Sequence, residues 1–127
     1  IKAYWQQGGK HVLGLHVEGP WISIEKRGAH VAALIHTPTI KQVTELLQYG
    51  KGVIKMITLA PECCDDTIIQ YIKQQGIIVS AGHSNATYEV ATHCFDNGVQ
   101  AATHLYNAMS AFEHRNPGMV GAILNHN

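Results

Sequence analysis

The hydrophobic and polar positions of this chain alternate between two periods. Along Lys10–Gly19, Leu13, Leu15 and Val17 share one side, while Gly14, His16 and Glu18 share the other. That two-residue period predicts a strand, and its apolar flank predicts a buried one. Gly52–Pro61 (GVIKMITLAP), Ile77–His83 and Val99–Leu105 are apolar runs that read as three further strands. Between the strands the spacing lengthens to a helical one. Ile40, Val43, Leu46 and Leu47 predict a helix opened by Thr39 and closed by Gly50 and Gly52. Ile68, Ile69 and Ile72 predict another over Pro61–Gln75, with Glu62, Asp65 and Asp66 in its first turn and Gly76 as its stop. A third, Ala86–Asn97, is expected to be capped by Ser84-Asn85, with Tyr88, Ala91, His93, Cys94 and Phe95 on or near its buried side. A short helix at Gly118–Leu124 follows, and YWQQGG near the start reads as a helix end stopped by glycines. Pro20–Pro38 is a long polar connection of the kind that is usually functional.

Apolar strands alternating with helices imply right-handed crossovers and a parallel sheet, an α/β fold. An open doubly wound sheet and part of a TIM-type β/α barrel both fit. No GxGxxG or phosphate-cradling loop follows the first strand, as the open sheet would favour. Glu18, His83 and His104 stand at or near three strand ends, the rim where barrel chemistry sits. The expectation is therefore half of a β/α barrel, with residues 1–127 a single partial catalytic domain. Ile1 in place of Met adds to the reading of a piece of a longer protein.

Composition changes this picture little. Hydrophobic residues are 46% of the 127, and charged ones only 14%, which suggests surfaces covered by other chain or by a partner. Net charge is zero and no basic run exists, which argues against a nucleic-acid or anionic-membrane partner. The three cysteines, Cys63, Cys64 and Cys94, read as reduced thiols of a cytoplasmic protein.

One carboxylate and two imidazoles at three strand ends are what a zinc-type site with an open position needs. Each taken singly has a plainer reading, as a cap, an ion-pair partner or a satisfied polar group. His16, two residues before Glu18 on the same face, is expected to support a ligand from behind. His30, with Lys26 and Arg27, belongs either to a solvated basic loop or to a substrate clamp. Arg115 is either an ordinary surface arginine or an anion contact. The vicinal Cys63-Cys64 pair lacks metal spacing. His36, His93, His114 and His126 are expected to be structural or exposed.

Six motifs then add a resemblance. LGLHVEGPW, KRGAH, TLAPE, VSAGHSNATY, ATHLYNAM and RNPGMVGA, in this order, resemble the N-acetylglucosamine-6-phosphate deacetylases of the amidohydrolase superfamily. The likeness runs from about Leu13 to Leu124. It implies a β/α barrel with a catalytic divalent metal, commonly zinc, and hydrolysis of the acetamide of N-acetylglucosamine 6-phosphate. By motif, Glu18, His83 and His104 would be the metal ligands. His30 would contact the sugar, and Asn107, Ala108 and Arg115 would bind substrate near its phosphate. That arginine would reach the site of a second subunit in a homodimer. The resemblance implies an aspartate as base and then acid, expected downstream of this chain. Asp65, Asp66 and Asp96, in or at the ends of helices, are poor substitutes. The family's Arg-Glu-Pro-Gly is here Arg115-Asn116-Pro117-Gly118, which removes any salt bridge of that acid. N-acetylgalactosamine 6-phosphate is the alternative substrate. A second alternative is a metal-binding segment without turnover, whose open sheet edges would favour pairing.

Overall fold

The computed structural model describes residues 1–126. It comprises α1 (Lys2–Gln6), β1 (Leu15–Glu18), α2 (Ile40–Tyr49), β2 (Ile54–Leu59), α3 (Asp66–Gln74), β3 (Ile78–Ala81), α4 (Tyr88–Asp96), β4 (Ala101–Ala102) and α5 (Gly118–Asn125). The four strands form one parallel sheet in the order β1-β2-β3-β4. This is the expected α/β alternation, with each crossover long enough to carry a helix or turn.

Register decides which side chains share a face. Glu18, Thr58, Ser80 and Ala101 are aligned across the strands, as are His16, Met56 and Ile78. In an aligned parallel sheet these positions all point to one side. The opposite side carries Val17, Ile57, Leu59, Val79 and Ala81. It packs with Val43 and Leu47 of α2, Ile68, Ile69 and Ile72 of α3, and Ala91, Cys94 and Phe95 of α4 as the core. α2 starts as its sequence suggests. The Thr39 hydroxyl accepts from Gln42 N–H, and the Gln42 side chain accepts from Thr39 N–H, a reciprocal cap.

Several elements differ from expectation. The first strand begins at Leu15 rather than Lys10 and is an edge strand, with Leu13 89% and Leu15 43% exposed. The two-residue period gives the orientation of side chains but not the number of neighbouring strands. The fourth strand shrinks to two residues. The helix expected over Pro61–Gln75 is divided into a single 3-10 turn, Pro61–Cys63, and α3. Glu62 caps no helix dipole; its carboxylate accepts from Ser84 Oγ (2.6 Å) and Asn85 N–H (2.5 Å). Ser84 is therefore engaged elsewhere, and Thr87 caps α4 through its hydroxyl. His93 is exposed and pairs with Asp66 at 2.8 Å.

All three cysteines are free, Cys94 buried and the other two partly so. Burial, with Glu62 nearby, pushes the Cys63 thiol up to about 11; burial, with Asp66 and Glu62, does the same for Cys94, and Cys64 is raised further. At pH 8 only about one thiol in a thousand with such a value is ionised. Reaction with a disulfide reagent at pH 8 is therefore expected to be at least about tenfold slower in the folded protein than in guanidinium. Equal rates would contradict this.

Candidate metal centre

Three strand ends build the site. β1 stops at Glu18, and Gly19, at φ +74°, turns the chain across the sheet while its N–H bonds Thr58 O at 3.0 Å. The crossing segment is stitched to its neighbours. Ala60 N–H donates to Trp21 O and Ser23 N–H to His83 O, each at 2.9 Å. Its residues Trp21, Ile22 and Ser23 are buried. At the ends of β3 and β4 the chain makes tight turns in which His83 (φ 48°) and His104 (φ 41°) both adopt the left-handed conformation. That conformation is costly for residues other than glycine, and such strain concentrates at functional sites. The two turns are joined. Ser84 N–H donates to Ala108 O, and Ser110 N–H donates back to Ser84 O.

The side chains converge on one oxygen. His83 Nε2 is 2.8 Å and His104 Nε2 3.0 Å from Glu18 Oε1, and the two nitrogens are 3.1 Å apart. The other nitrogen of each ring is committed. His83 Nδ1 donates to Lys26 O at 2.7 Å, and His104 Nδ1 to Asn107 O at 2.9 Å. A carbonyl oxygen only accepts, so each Nδ1 carries hydrogen and a neutral ring presents a bare Nε2. Two lone-pair nitrogens and a carboxylate oxygen then face one another at contact distance. A cation between them, a proton or a metal ion, relieves their mutual repulsion. Tetrahedral zinc with ligands at about 2.1 Å holds them about 3.4 Å apart, so an opening of a few tenths of an ångström admits the ion. Backbone carbonyls orienting both rings are the usual support of metal-binding histidines.

Glu18 also shares a wider cluster with His30 and His83, whose ligand atoms lie within 4.8 Å of one another. The His30 ring meets the edge of the His83 ring at 4.8 Å between centroids. His104 is closer to both partners than His30 is, and its second nitrogen is anchored. His30 stands beside the three converging side chains. Burial of Glu18 opposes its ionisation. Hydrogen bonds and charge from His83 and His104 outweigh that, holding the carboxyl below its ordinary value.

The remaining expected residues fall unequally. Asn107 contributes its carbonyl to His104, and its side chain is exposed. Ala108 has φ 48° and binds Ser84 through its backbone. Among the described residues, His16 makes no hydrogen bond to the three converging side chains; its Nε2 bonds Thr58 Oγ1 at 2.6 Å. Arg115 is exposed and lines a different cleft, with Asn85, Thr87 and Glu89. Glu18 and His30 instead line a cleft of about 500 Å³ whose far wall is Val31, Leu34 and Ile35. Lys26 O and the carboxylate of Glu62, which grips the turn after His83, were not singled out from sequence.

No protein-family model matches the chain. Curated relatives do. The chain is 44% identical over 118 residues to the N-acetylglucosamine-6-phosphate deacetylase of Danio rerio, covering 91% of this chain and 29% of that protein. It is 42% identical over 125 residues to that of Haemophilus influenzae, covering 98% and 32%. The crystal structure of the Pasteurella multocida N-acetylglucosamine-6-phosphate deacetylase matches with a TM-score of 0.88 at 42% identity, over 98% of this chain and 33% of that one. Over nearly its whole length the chain is similar to one part of these deacetylases. It spans about a third of the length of the relatives it matches, and its four-stranded sheet corresponds to part of their barrel. An N-acetylgalactosamine-6-phosphate deacetylase of Shewanella is also 42% identical, over 111 residues, covering 87% of this chain and 28% of that protein. A variant of the Mycobacterium smegmatis N-acetyl-D-glucosamine-6-phosphate deacetylase, solved in complex with N-acetyl-D-glucosamine 6-phosphate, matches with a TM-score of 0.79 at 36% identity, over 86% of this chain and 29% of that one.

Proposed function

We infer that these residues serve a metal-dependent hydrolase that removes the acetyl group of N-acetylglucosamine 6-phosphate, yielding acetate and glucosamine 6-phosphate. The observation that carries the reading is the convergence of Glu18, His83 and His104 within 3.1 Å, in a chain homologous to such deacetylases. Glu18, His83 and His104 would hold a divalent ion, zinc by the chemistry of two imidazoles and a carboxylate. The chemistry such an ion supplies is polarisation of the amide carbonyl and activation of water.

The chain's own residues orient and neutralise. Lys26 O and Asn107 O fix the two rings with Nε2 directed inward. His30, edge-on to His83, is assigned a sugar hydroxyl. Asn107 and the strained Ala108 backbone are assigned the region of the phosphate. Arg115 lies in a separate cleft from Glu18, which suits an arginine serving the site of a second copy in a homodimer. Asp66 is bonded to His93, and Asp65 and Asp96 lie at ends of α3 and α4. None of the three is assigned the role of the proton-transferring aspartate that the resemblance implies. On the same reading residues 1–127 are one part of the catalytic domain. The raised, free thiols suit a reducing cytoplasm. No helix among the described residues is long and apolar enough to cross a membrane.

The Shewanella relative favours a second reading, with the galactosamine epimer as substrate. Acetate release from the two epimers decides between them. We expect the glucosamine compound to be turned over at least about tenfold more efficiently, a difference of about 1.4 kcal/mol in transition-state binding. Chelation should abolish release and zinc should restore it. Turnover that is indifferent to chelator would refute the metal reading, and a preference for the other epimer would establish the second.

A further inference from the structure

One chain of hydroxyls crosses all four strands behind the metal centre. His16 Nε2 lies 2.6 Å from Thr58 Oγ1, Thr58 Oγ1 lies 2.7 Å from Thr103 Oγ1, and Thr103 Oγ1 lies 2.7 Å from Ser80 Oγ. The four residues come from β1, β2, β3 and the residue that follows β4. Thr58 and Ser80 are fully buried. Among the described residues, none of the four hydrogen-bonds to Glu18, His83 or His104, so the chain is separate from the ligand cluster.

Its placement relative to that cluster is regular. Thr58 is the register partner of Glu18, and Thr103 directly precedes His104. Buried hydroxyls are expensive unless every partner is in place, whereas branched aliphatic side chains at such positions cost nothing to desolvate. Apolar contacts tolerate sliding between strands. O–H···O bonds tolerate only a few tenths of an ångström. A hydroxyl chain therefore fixes the offset of strands along their axes in a way that aliphatic packing does not. β4 needs such a hold. It makes only two register pairs with β3, supplemented by Thr103 N–H on Ala81 O at 2.8 Å, before the chain turns at His104. Gly82 lets the parts approach, since a Cβ there would lie 2.8 Å from Thr58 Cγ2 and 3.0 Å from Thr103 Cβ.

We propose that Thr103, held between Thr58 and Ser80, is a positioning residue for the metal centre: its two hydroxyl contacts set the height of His104 relative to Glu18. The proposal rests on the assignment of Glu18, His83 and His104 as ligands. It concerns metal affinity rather than bond breaking, because the Thr103 hydroxyl bonds Thr58 and Ser80 and none of the three ligand atoms.

The test is zinc titration of the metal-stripped intact protein against a chromophoric chelator. Thr103→Val keeps the shape and removes the hydroxyl; Thr103→Ser keeps the hydroxyl. Thr103→Val is expected to weaken zinc binding about 10- to 100-fold, and Thr103→Ser to stay within about threefold of the parent. Circular dichroism of the stripped proteins at the titration temperature establishes that affinity is read on folded molecules. If Thr103→Val does not fold, Thr58→Val carries the same expectation. His83→Ala is the control for the ligand assignment. Loss of binding in His83→Ala with parental affinity in folded Thr103→Val overturns the positioning role alone. Parental affinity in His83→Ala overturns the ligand assignment and the proposal with it.

Discussion

Replacing His83 by alanine is expected to weaken zinc binding more than about 100-fold and to lower acetate release by about 1,000-fold, or about 4 kcal/mol of transition-state stabilisation. His83 is the best-held member of the cluster. It is buried to 7% exposure, and its Nδ1 is tied to Lys26 O at 2.7 Å. Its ring also separates His30 from His104, meeting each edge-on at 4.8 and 4.7 Å. Removing the ring takes away one of three ligand atoms and leaves Lys26 O without its donor. The cavity and the orphaned carbonyl together should cost about 2 kcal/mol of folding stability, less whatever the metal-free protein gains from relieved crowding of the nitrogens. His83→Gly separates the two effects. Glycine adopts φ 48° without the steric cost of a Cβ, about 1 kcal/mol, so it should recover part of the stability and none of the zinc affinity. Chelator competition and thermal melts of both variants check this. Zinc affinity within about threefold of the parent in either variant would remove His83 from the ligand set.

The sequence made the three converging side chains legible but not their support. Glu18, His83 and His104 stood out because each ends an apolar run, and a polar residue there has to be accounted for. A strand's period also shows that His16 and Glu18 share a face, and the register agrees. What holds the donors is not periodic. Lys26 O and Asn107 O are backbone atoms of irregular loops, so no residue type announces them. The left-handed turns at His83 and His104 replace the expected continuation of two strands, and neither residue is the glycine that would have marked them. Ser84 looked like a helix cap because it precedes an apolar helical pattern. Its hydroxyl instead donates to Glu62, twenty-two positions earlier, a long-range choice that local propensity cannot show. Thr58 and Ser80 were readable in principle. Both stand inside apolar runs on the side that Glu18 occupies, and a hydroxyl there needs a partner on another strand. The edge position of β1 was not readable, because exposure of Leu13 and Leu15 depends on which chain lies beside them.

Replacing Glu18 by glutamine should move affinity and stability in opposite directions. Zinc binding is expected to fall by about 100-fold or more, since the anionic ligand becomes a neutral amide of the same shape. The metal-free protein should respond differently. With both rings neutral, a glutamate oxygen faces two bare nitrogens, whereas a glutamine NH₂ can donate one hydrogen to each. At pH 8 the metal-free variant is therefore expected to melt about 3 °C above its parent, a gain on the order of 1 kcal/mol. The carboxyl sits below its ordinary value, burial opposing its ionisation and the two histidines outweighing that. Whatever stability it contributes is therefore lost as pH falls through its folded value, while glutamine has no such dependence. Glu18 is 38% exposed at its side chain, so solvent keeps the acid-side effect small. Melts of the stripped proteins and zinc titrations, both at pH 8, read both halves of the expectation. A variant that binds zinc as the parent does, or that melts lower at pH 8, would mean that the carboxylate does not meet two unprotonated nitrogens. The cluster would then be an ordinary hydrogen-bonded triad and not a set of metal ligands.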